Sequence, residues 1–331
     1  MRTIIVCTRD LDFGVGSVVK NDLNLLDKDK KIGKVIVIGP KRVEGYSKKI
    51  NFELIENKGR FFITKEPNFA FKCNKKLKEL ISKHPIDKVY THFPILAEDF
   101  GVDMISKFHT LHKSAIKNNL NGLKFLIGKI FHNIYSYFDR ITIKHSKKVL
   151  FVSKRTLNQA KVMYPEYKYK MSYSQNSVNS SKFYKLGNKK VLEIKNRLGL
   201  NDGKINILYV GRLEPMKGIQ NLVRVLRDFD KSKFRLLVIG DGPLKRKLIS
   251  SSFVRFIGKV QNDELYKYYN SADIFILPSL YENAPMTILE AKACGCKILA
   301  SNTGDNEYIL DKKSIFNNEG ELKDKLSLLI K

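Results

Sequence analysis

The 331-residue chain is short of acids. It carries 33 aspartates and glutamates against 61 lysines and arginines, a formal net charge of +28 at pH 7. An imbalance of that size points to an anionic surface or ligand. No base-reading module accompanies it, so a specific nucleic-acid partner is not expected. Cysteine is scarce, four in all. Cys294-Gly-Cys296 makes neither a paired zinc motif nor a disulfide framework, which suits a reduced, cytoplasmic protein. No apolar run nears the ~20 residues that span a bilayer, and no signal-peptide pattern opens the chain. Repeats and low-complexity tracts are lacking, which excludes solenoids and disordered arrays. The length suits two domains of ordinary size.

One segment concentrates the positive charge. Residues 113–148 mix lysines and an arginine with a single acid, Asp139. Leu123, Leu126, Ile127, Ile130, Phe131, Ile134 and Phe138 fall on one helical side. A basic and apolar helix of this kind suits peripheral binding to an anionic membrane surface. A buried helix with solvated lysines fits the same pattern.

The second half alternates short apolar runs with amphipathic ones. Strands are predicted at 207–211, 234–239, 254–257 and 272–277, with helical patterns after most of them. This order predicts an α/β fold with parallel sheets and right-handed crossovers. Arg212 and Lys217, in RLEPMKGI, follow the first of these strands, where open α/β sheets bind ligands.

The stretch PSLYENAPMTILEAKACGC (278–296) places Glu282 and Glu290 eight positions apart. Pro285 suits the first turn of a helix. Glu282 then lies in the loop ahead of that helix and Glu290 about one turn inside it. The backbone N–H groups of Met286 and Thr287 stand at an end that attracts phosphate. Two carboxylates beside it suit a ligand whose hydroxyls flank its phosphates, as in a nucleotide sugar.

The blocks VGRLEPMKGI, VIGDGPLK, VRFIGKV and ADIFILPSLYENAPMTILEAKACGCKILAS, in that order, resemble the retaining glycosyltransferases of family 4, which have the GT-B fold. The resemblance is dense over 206–302. It implies two Rossmann-like domains with parallel sheets facing across a cleft, expected at 1–175 on the acceptor side and 176–331 on the donor side. It implies a UDP- or GDP-sugar as substrate, no further cofactor and no metal. It assigns Arg212 and Lys217 to the donor diphosphate, Glu290 to ribose hydroxyls and Glu282 to a hydroxyl of the transferred sugar. Backbone around Gly258 and Val260 is expected at the nucleobase. Many members use lipid-linked acceptors, so the acceptor expected here is a hydroxyl on a glycan or a lipid.

The first half offers fewer signals. Gly14-Val-Gly16 lacks the third glycine of a dinucleotide fingerprint. With Ser17 it matches the family's glycine loop loosely. Asp10-Leu-Asp12 has the look of a metal motif but precedes that loop, and is read as loop chemistry. A strand expected over Met104–Thr110 leads to His112 in FHTLHKS, which best matches the family's histidine for sugar orientation. His109 takes that place if the preceding strand stops sooner, and His92 ends an earlier strand.

QNSVNSSKFYK resembles the family's N-G-V-D-x-x-x-F turn, with Ser177 for glycine and Asn179 for aspartate, and the domain boundary is expected within 170–181. The last residues, GELKDKLSLLIK, read as the helix before one that crosses back to the first domain. Loss of that crossing is expected to loosen closure. A nucleotide-sugar epimerase, and a degenerate binding or membrane-associated subunit, stand as alternatives.

Overall fold

A computed structural model of the protein describes residues 1–11, 14–56, 62–95, 97–111, 136–249 and 251–330. The chain divides into two compact units, Met1–Asn176 and Ser177–Lys331.

Among the described residues the first unit holds seven strands: β1 (Arg2–Cys7), β2 (Ile32–Gly39), β3 (Ile50–Leu54), β4 (Lys88–Thr91), β5 (Asp103–Phe108), β6 (Lys148–Phe151) and β7 (Met171–Tyr173). They pair in the order β3-β2-β1-β4-β5-β6-β7, all parallel. Helices α1 (Val15–Lys28), α2 (Phe62–Lys83) and α3 (Lys154–Met163) accompany them, and residues 136–145 are helical. The amphipathic pattern of 113–148 lies outside the described residues up to residue 135.

The second unit holds β8 (Ile205–Val210), β9 (Phe234–Ile239), β10 (Val254–Gly258), β11 (Ile274–Leu277), β12 (Lys297–Ser301) and β13 (Ile315–Phe316). Their order is β10-β9-β8-β11-β12-β13, again parallel. Its helices include α4 (Asn188–Leu198), α5 (Ile219–Leu226), α6 (Lys245–Ile249), α7 (Leu265–Ser271), α8 (Met286–Ala293), α9 (Asn306–Ile309) and α10 (Glu319–Ser327).

Strands β1, β2, β8, β9 and β11 carry runs of buried apolar residues because both faces of each sheet are covered there. Side chains alternate between faces with a period of two. Ile207, Tyr209, Leu236, Val238 and Ile276 enter one core of the second unit. Their neighbours Leu208, Val210, Leu237, Ile239 and Leu277 enter the other. The first sheet divides likewise, with Ile5, Cys7, Ile36 and Ile38 on one side and Ile4, Val6, Val35 and Val37 on the other.

Each sheet reverses its strand order once, between β1 and β4 in the first unit and between β8 and β11 in the second. At such a reversal the two following loops diverge to opposite faces and leave a crevice beyond the carboxyl ends of the strands. Topology alone therefore singles out the loops after β8 and β11, and those after β1 and β4.

The turn that opens the second unit departs from the sequence pattern it resembles without losing its function in the chain. The Asn179 side-chain oxygen accepts from the Ser181 amide at 3.0 Å and from its hydroxyl at 2.6 Å. An aspartate would make the same turn, so the carboxamide substitutes for it directly.

Candidate donor site and a buried histidine pair

The loop after β8 carries Arg212 and Lys217, and the loop after β11 carries Ser279 and Glu282. The Leu280 amide donates to the Met216 carbonyl at 2.9 Å, so the two loops are joined through backbone. The Lys217 ammonium lies 2.6 Å from Glu282 Oε1, with side chains 23% and 11% exposed. The Ser279 hydroxyl donates to the same oxygen at 2.7 Å. Lys217 thus meets a carboxylate 65 positions away because the sheet order makes β8 and β11 neighbours. Of its three N–H donors, one serves Glu282 and two can serve phosphate oxygens. Arg212 stands on the same loop, 68% exposed, 2.8 Å from Glu214. Beneath it, the buried Tyr209 hydroxyl donates to the Arg212 carbonyl at 2.8 Å and fixes the loop's path.

A third loop braces Glu282. The Asp305 amide donates to the Asn283 carbonyl at 2.7 Å. Gly304, at φ 58°, brings its backbone so close that a Cβ there would stand 2.6 Å from the Glu282 carbonyl oxygen.

Pro285 occupies the N-cap of α8 at φ −69°, one position before the first turn in which it was expected, and no side chain caps that end. The first-turn amides, those of Met286 and Thr287, have no intrahelical acceptor. Glu290 is one turn in, as the spacing predicted. It is 4% exposed and accepts from the Tyr269 hydroxyl at 2.9 Å. Its Oε1 makes no hydrogen bond to the described residues.

Burial pushes the Glu290 carboxyl up to about 7, and the Tyr269 hydrogen bond opposes this only in part. The folded state therefore binds the proton more tightly than the unfolded chain does. The resulting stability is complete below the ordinary carboxylate range and is lost as pH rises through about 7. Glu290→Gln is expected to flatten this dependence, so the unfolding free energies of variant and wild type diverge as pH rises towards 8 in urea titrations.

Gly258 ends β10 at φ 89°, and its carbonyl accepts from Gly240 at 2.9 Å. Val260 follows, half-buried against the second core. Both stand at the carboxyl edge of the sheet that also bears Arg212 and Glu282.

In the first unit, Gly14 caps α1 at φ 65° with open space where a Cβ would point. Gly16 is different: a Cβ would meet the Leu11 backbone at 2.5 Å, so close packing of helix on loop requires glycine there. Asp12 and His112 lie outside the described residues. β5 ends at Phe108, short of the expected Thr110, so His109 directly follows the strand.

His109 meets His92, which follows β4. His92 Nδ1 and His109 Nε2 are 3.3 Å apart. Asp22 of α1 lies 3.6 Å from His92 Nε2 and 2.8 Å from the Lys107 ammonium. Burial, with Lys107 adding to it, takes His92 down to about 3. Burial also holds His109 well below the ordinary imidazole range, followed by the effects of His92 and Lys107. Both rings are neutral at physiological pH. Sequence reading weighed the two histidines singly. Their pairing follows from β4 lying beside β5, and Asp22 gave no signal because it reads as one more polar helix residue. Ser279 and Tyr269 escaped it as well.

Residues 190–331 match the family described as "Glycosyl transferases group 1". An uncharacterized glycosyltransferase of Methanocaldococcus jannaschii is 32% identical over 149 residues, 42% of this chain and 38% of that protein. The alpha-monoglucosyldiacylglycerol synthase of Streptococcus pneumoniae is 24% identical over 280 residues, 76% of this chain and 60% of that enzyme. The chain thus spans less than two thirds of the length of these two relatives.

Among solved structures, WaaG, a glycosyltransferase involved in lipopolysaccharide biosynthesis, superposes with a TM-score of 0.82 at 16% identity, covering 99% of this chain and 90% of that one. Anabaena HepE in complex with UDP gives 0.67 at 14% identity, covering 100% and 90%. The fold is GT-B, two Rossmann-like α/β units, and residues 190–331 are similar to the Glycosyl transferases group 1 domain.

Proposed function

We propose that the protein is a retaining glycosyltransferase that moves a sugar from a UDP- or GDP-sugar to a hydroxyl on a lipid-linked or glycan acceptor. The observation that carries this reading is the convergence of Lys217, Glu282 and the uncapped start of α8 at the strand-order reversal of the second sheet. Breaking the bond between sugar and phosphate leaves negative charge on the departing diphosphate and positive charge on the anomeric carbon. Lys217, Arg212 and the Met286 and Thr287 amides supply the opposing positive charge, and their positions are set before the reaction begins. Arg212 offers a planar fork to phosphate oxygens and Lys217 a point charge. Glu282 takes a hydroxyl of the sugar, Glu290 those of the ribose, and backbone at Gly258 and Val260 faces the base.

Retention needs no protein base in this scheme. The departing phosphate oxygen accepts the proton of the attacking hydroxyl on the face it has just left. The fixed cations also take the part a divalent ion would otherwise play, so EDTA is expected to leave turnover unchanged. Loss of turnover on chelation, restored by a metal, would refute this part.

The acceptor reading rests on the Streptococcus relative, named for a glucosylated diacylglycerol. With a net charge of +28, the protein is expected to sediment with anionic vesicles at low salt and to be released at high salt. Equal binding to neutral vesicles would contradict an electrostatic attachment. The donor is tested by thermal shift across UDP- and GDP-sugars, with an Arg212→Ala/Lys217→Ala control. A shift for one base that the control loses supports the site, and no shift with any donor opposes it.

A further inference from the structure

A cavity of about 510 Å³ opens on the first sheet, at the amino ends of its strands and away from the loops that follow their carboxyl ends. A volume of this size falls within the range of small-molecule sites. Lys88 of β4, Asp103 of β5, Lys147 and Lys148 at the start of β6, and Lys170 and Ser172 at β7 line it.

The register explains how these charges come together. Lys88 pairs with Asp103, Ile105 with Lys148, and Leu150 with Ser172. Paired residues share a face, as do residues two apart on one strand. Lys88, Asp103, Ile105, Lys148 and Ser172 therefore stand on one face of the sheet. Their neighbours Met104, Val149 and Met171 enter the buried cores of the opposite face. From strand spacing and rise, the backbones of Lys88 and Lys148 lie roughly 12 Å apart. Two lysine side chains span that distance with an anion between them.

The cations outnumber their partners. Asp103 is the one acid of the described lining, and Lys147 takes it at 2.7 Å. The Lys170 ammonium donates to the carbonyls of Lys144 and Ser146, at 2.7 and 2.8 Å, and meets no carboxylate among the described residues. Burial holds it below the ordinary lysine range. The side chains of Lys88 and Lys148 have no partner among the described residues. The Ser172 hydroxyl is buried and makes no hydrogen bond. A hydroxyl left so is costly, and an oxygen acceptor bound beside it would offset that cost.

We propose that this cavity binds a phosphate group, held by Lys88, Lys148 and Lys170, with the Ser172 hydroxyl donating to one of its oxygens. Tyr169 and Ile105 line the same cavity and offer apolar contact to the uncharged part of the molecule that carries it. Lysines are mobile point charges and suit a rounded anion with several oxygens, whereas a planar carboxylate is better matched by arginine. A soluble phosphomonoester and a lipid headgroup present the same group. Every residue of the site belongs to the first unit, so it is separate from the donor loops of the second.

The test is calorimetric titration of the full chain with glycerol 3-phosphate and with inorganic phosphate, at ionic strength held constant with chloride. Arg212→Ala/Lys217→Ala serves as background, because it removes the phosphate contacts of the donor loops. Saturable binding is expected in that background, weakened at least tenfold by Lys88→Gln/Lys148→Gln. Ser172→Ala should weaken it about threefold without lowering the stability of the unliganded chain. Lys189→Gln/Lys190→Gln, on exposed residues of α4, removes the same charge elsewhere and should leave binding unchanged.

No binding of either probe in the background variant, or equal binding after Lys88→Gln/Lys148→Gln, would overturn the site. An equal loss in Lys189→Gln/Lys190→Gln would also overturn it, since net charge alone would then draw the anion. Sedimentation with phosphatidate-bearing vesicles separates the two sources. Vesicle binding that falls with Lys88→Gln/Lys148→Gln and is displaced by glycerol 3-phosphate supports the site with a lipid headgroup in it. Vesicle binding untouched by that change, with the soluble probes lost, supports it with a soluble phosphomonoester.

Discussion

Lys217→Ala is expected to lower kcat by about 10²–10³-fold while the fold stays intact. The expectation follows from where the charge stands. Lys217 is three-quarters buried beside Glu282, which is itself 11% exposed, and its ammonium is held 2.6 Å from Oε1. Its field at a departing diphosphate is therefore little screened by water. The effect belongs mainly in kcat, because charge on the leaving group grows as the bond breaks. A second consequence separates this account from simple loss of a surface base. Without Lys217, Glu282 keeps Ser279 as its side-chain partner among the described residues, and one carboxylate stands uncompensated beside the incoming phosphates. Lys217→Ala/Glu282→Ala should therefore lose less than the product of the two single losses. Strictly multiplicative effects would mean that the two residues act independently. Arg212→Ala, on a side chain 68% exposed, should cost less.

Gly218→Ala is expected to remove about 2–5 kcal/mol of stability, combining a left-handed backbone cost with a steric one. Gly218 caps α5 at φ 66° and ψ 10°. A Cβ there would run into the Pro278 carbonyl oxygen, which is backbone of the neighbouring loop and cannot rotate away. The substitution must part the loops after β8 and β11, the same loops that bring Lys217 to Glu282. Stability and turnover should fall together, with the denaturant midpoint moving at constant slope. An alanine variant of wild-type stability would show that the loops are not packed as described. Gly14→Ala has open space around it and should cost only the backbone part.

Some of this was legible in the sequence for simple reasons. Strands β8, β9 and β11 are buried on both faces, so their apolar runs are unbroken and stand out from the charged chain around them. Glu282 and Glu290 belong to one loop and the helix it enters, so a spacing of eight fixes their relation locally. Gly218 opens a helix eight residues after the end of a strand, again a local pattern. The two-residue β13 leaves no such mark.

Contacts that depend on strand order were not legible. Lys217 and Glu282 are 65 positions apart, and Lys107 and Asp22 are 85. No periodicity encodes the reversal that brings them together. Sequence reading also extended β5 to Thr110. The strand stops at Phe108, where its pairing with β6 ends at Phe151. That shift of two residues moves the strand-end position from His112 towards His109. The burial of Glu290 was missed for a related reason. A glutamate on a helix is normally solvated, and only the packing of α7 against α8 puts the Tyr269 hydroxyl over it.

The central claim is transfer of a sugar from a nucleotide diphosphate by the second unit's cationic loop. It is tested most directly by phosphorus and proton NMR, following the diphosphate and the anomeric proton, of the full chain with UDP- and GDP-sugars and a diacylglycerol acceptor in vesicles. The account predicts release of one nucleoside diphosphate, dependent on acceptor and lost in Lys217→Ala, with the anomeric configuration of the donor kept in the product. Binding of a donor without release of its nucleoside diphosphate, in the wild type as in Lys217→Ala, would contradict it and leave a sugar-nucleotide-binding protein instead.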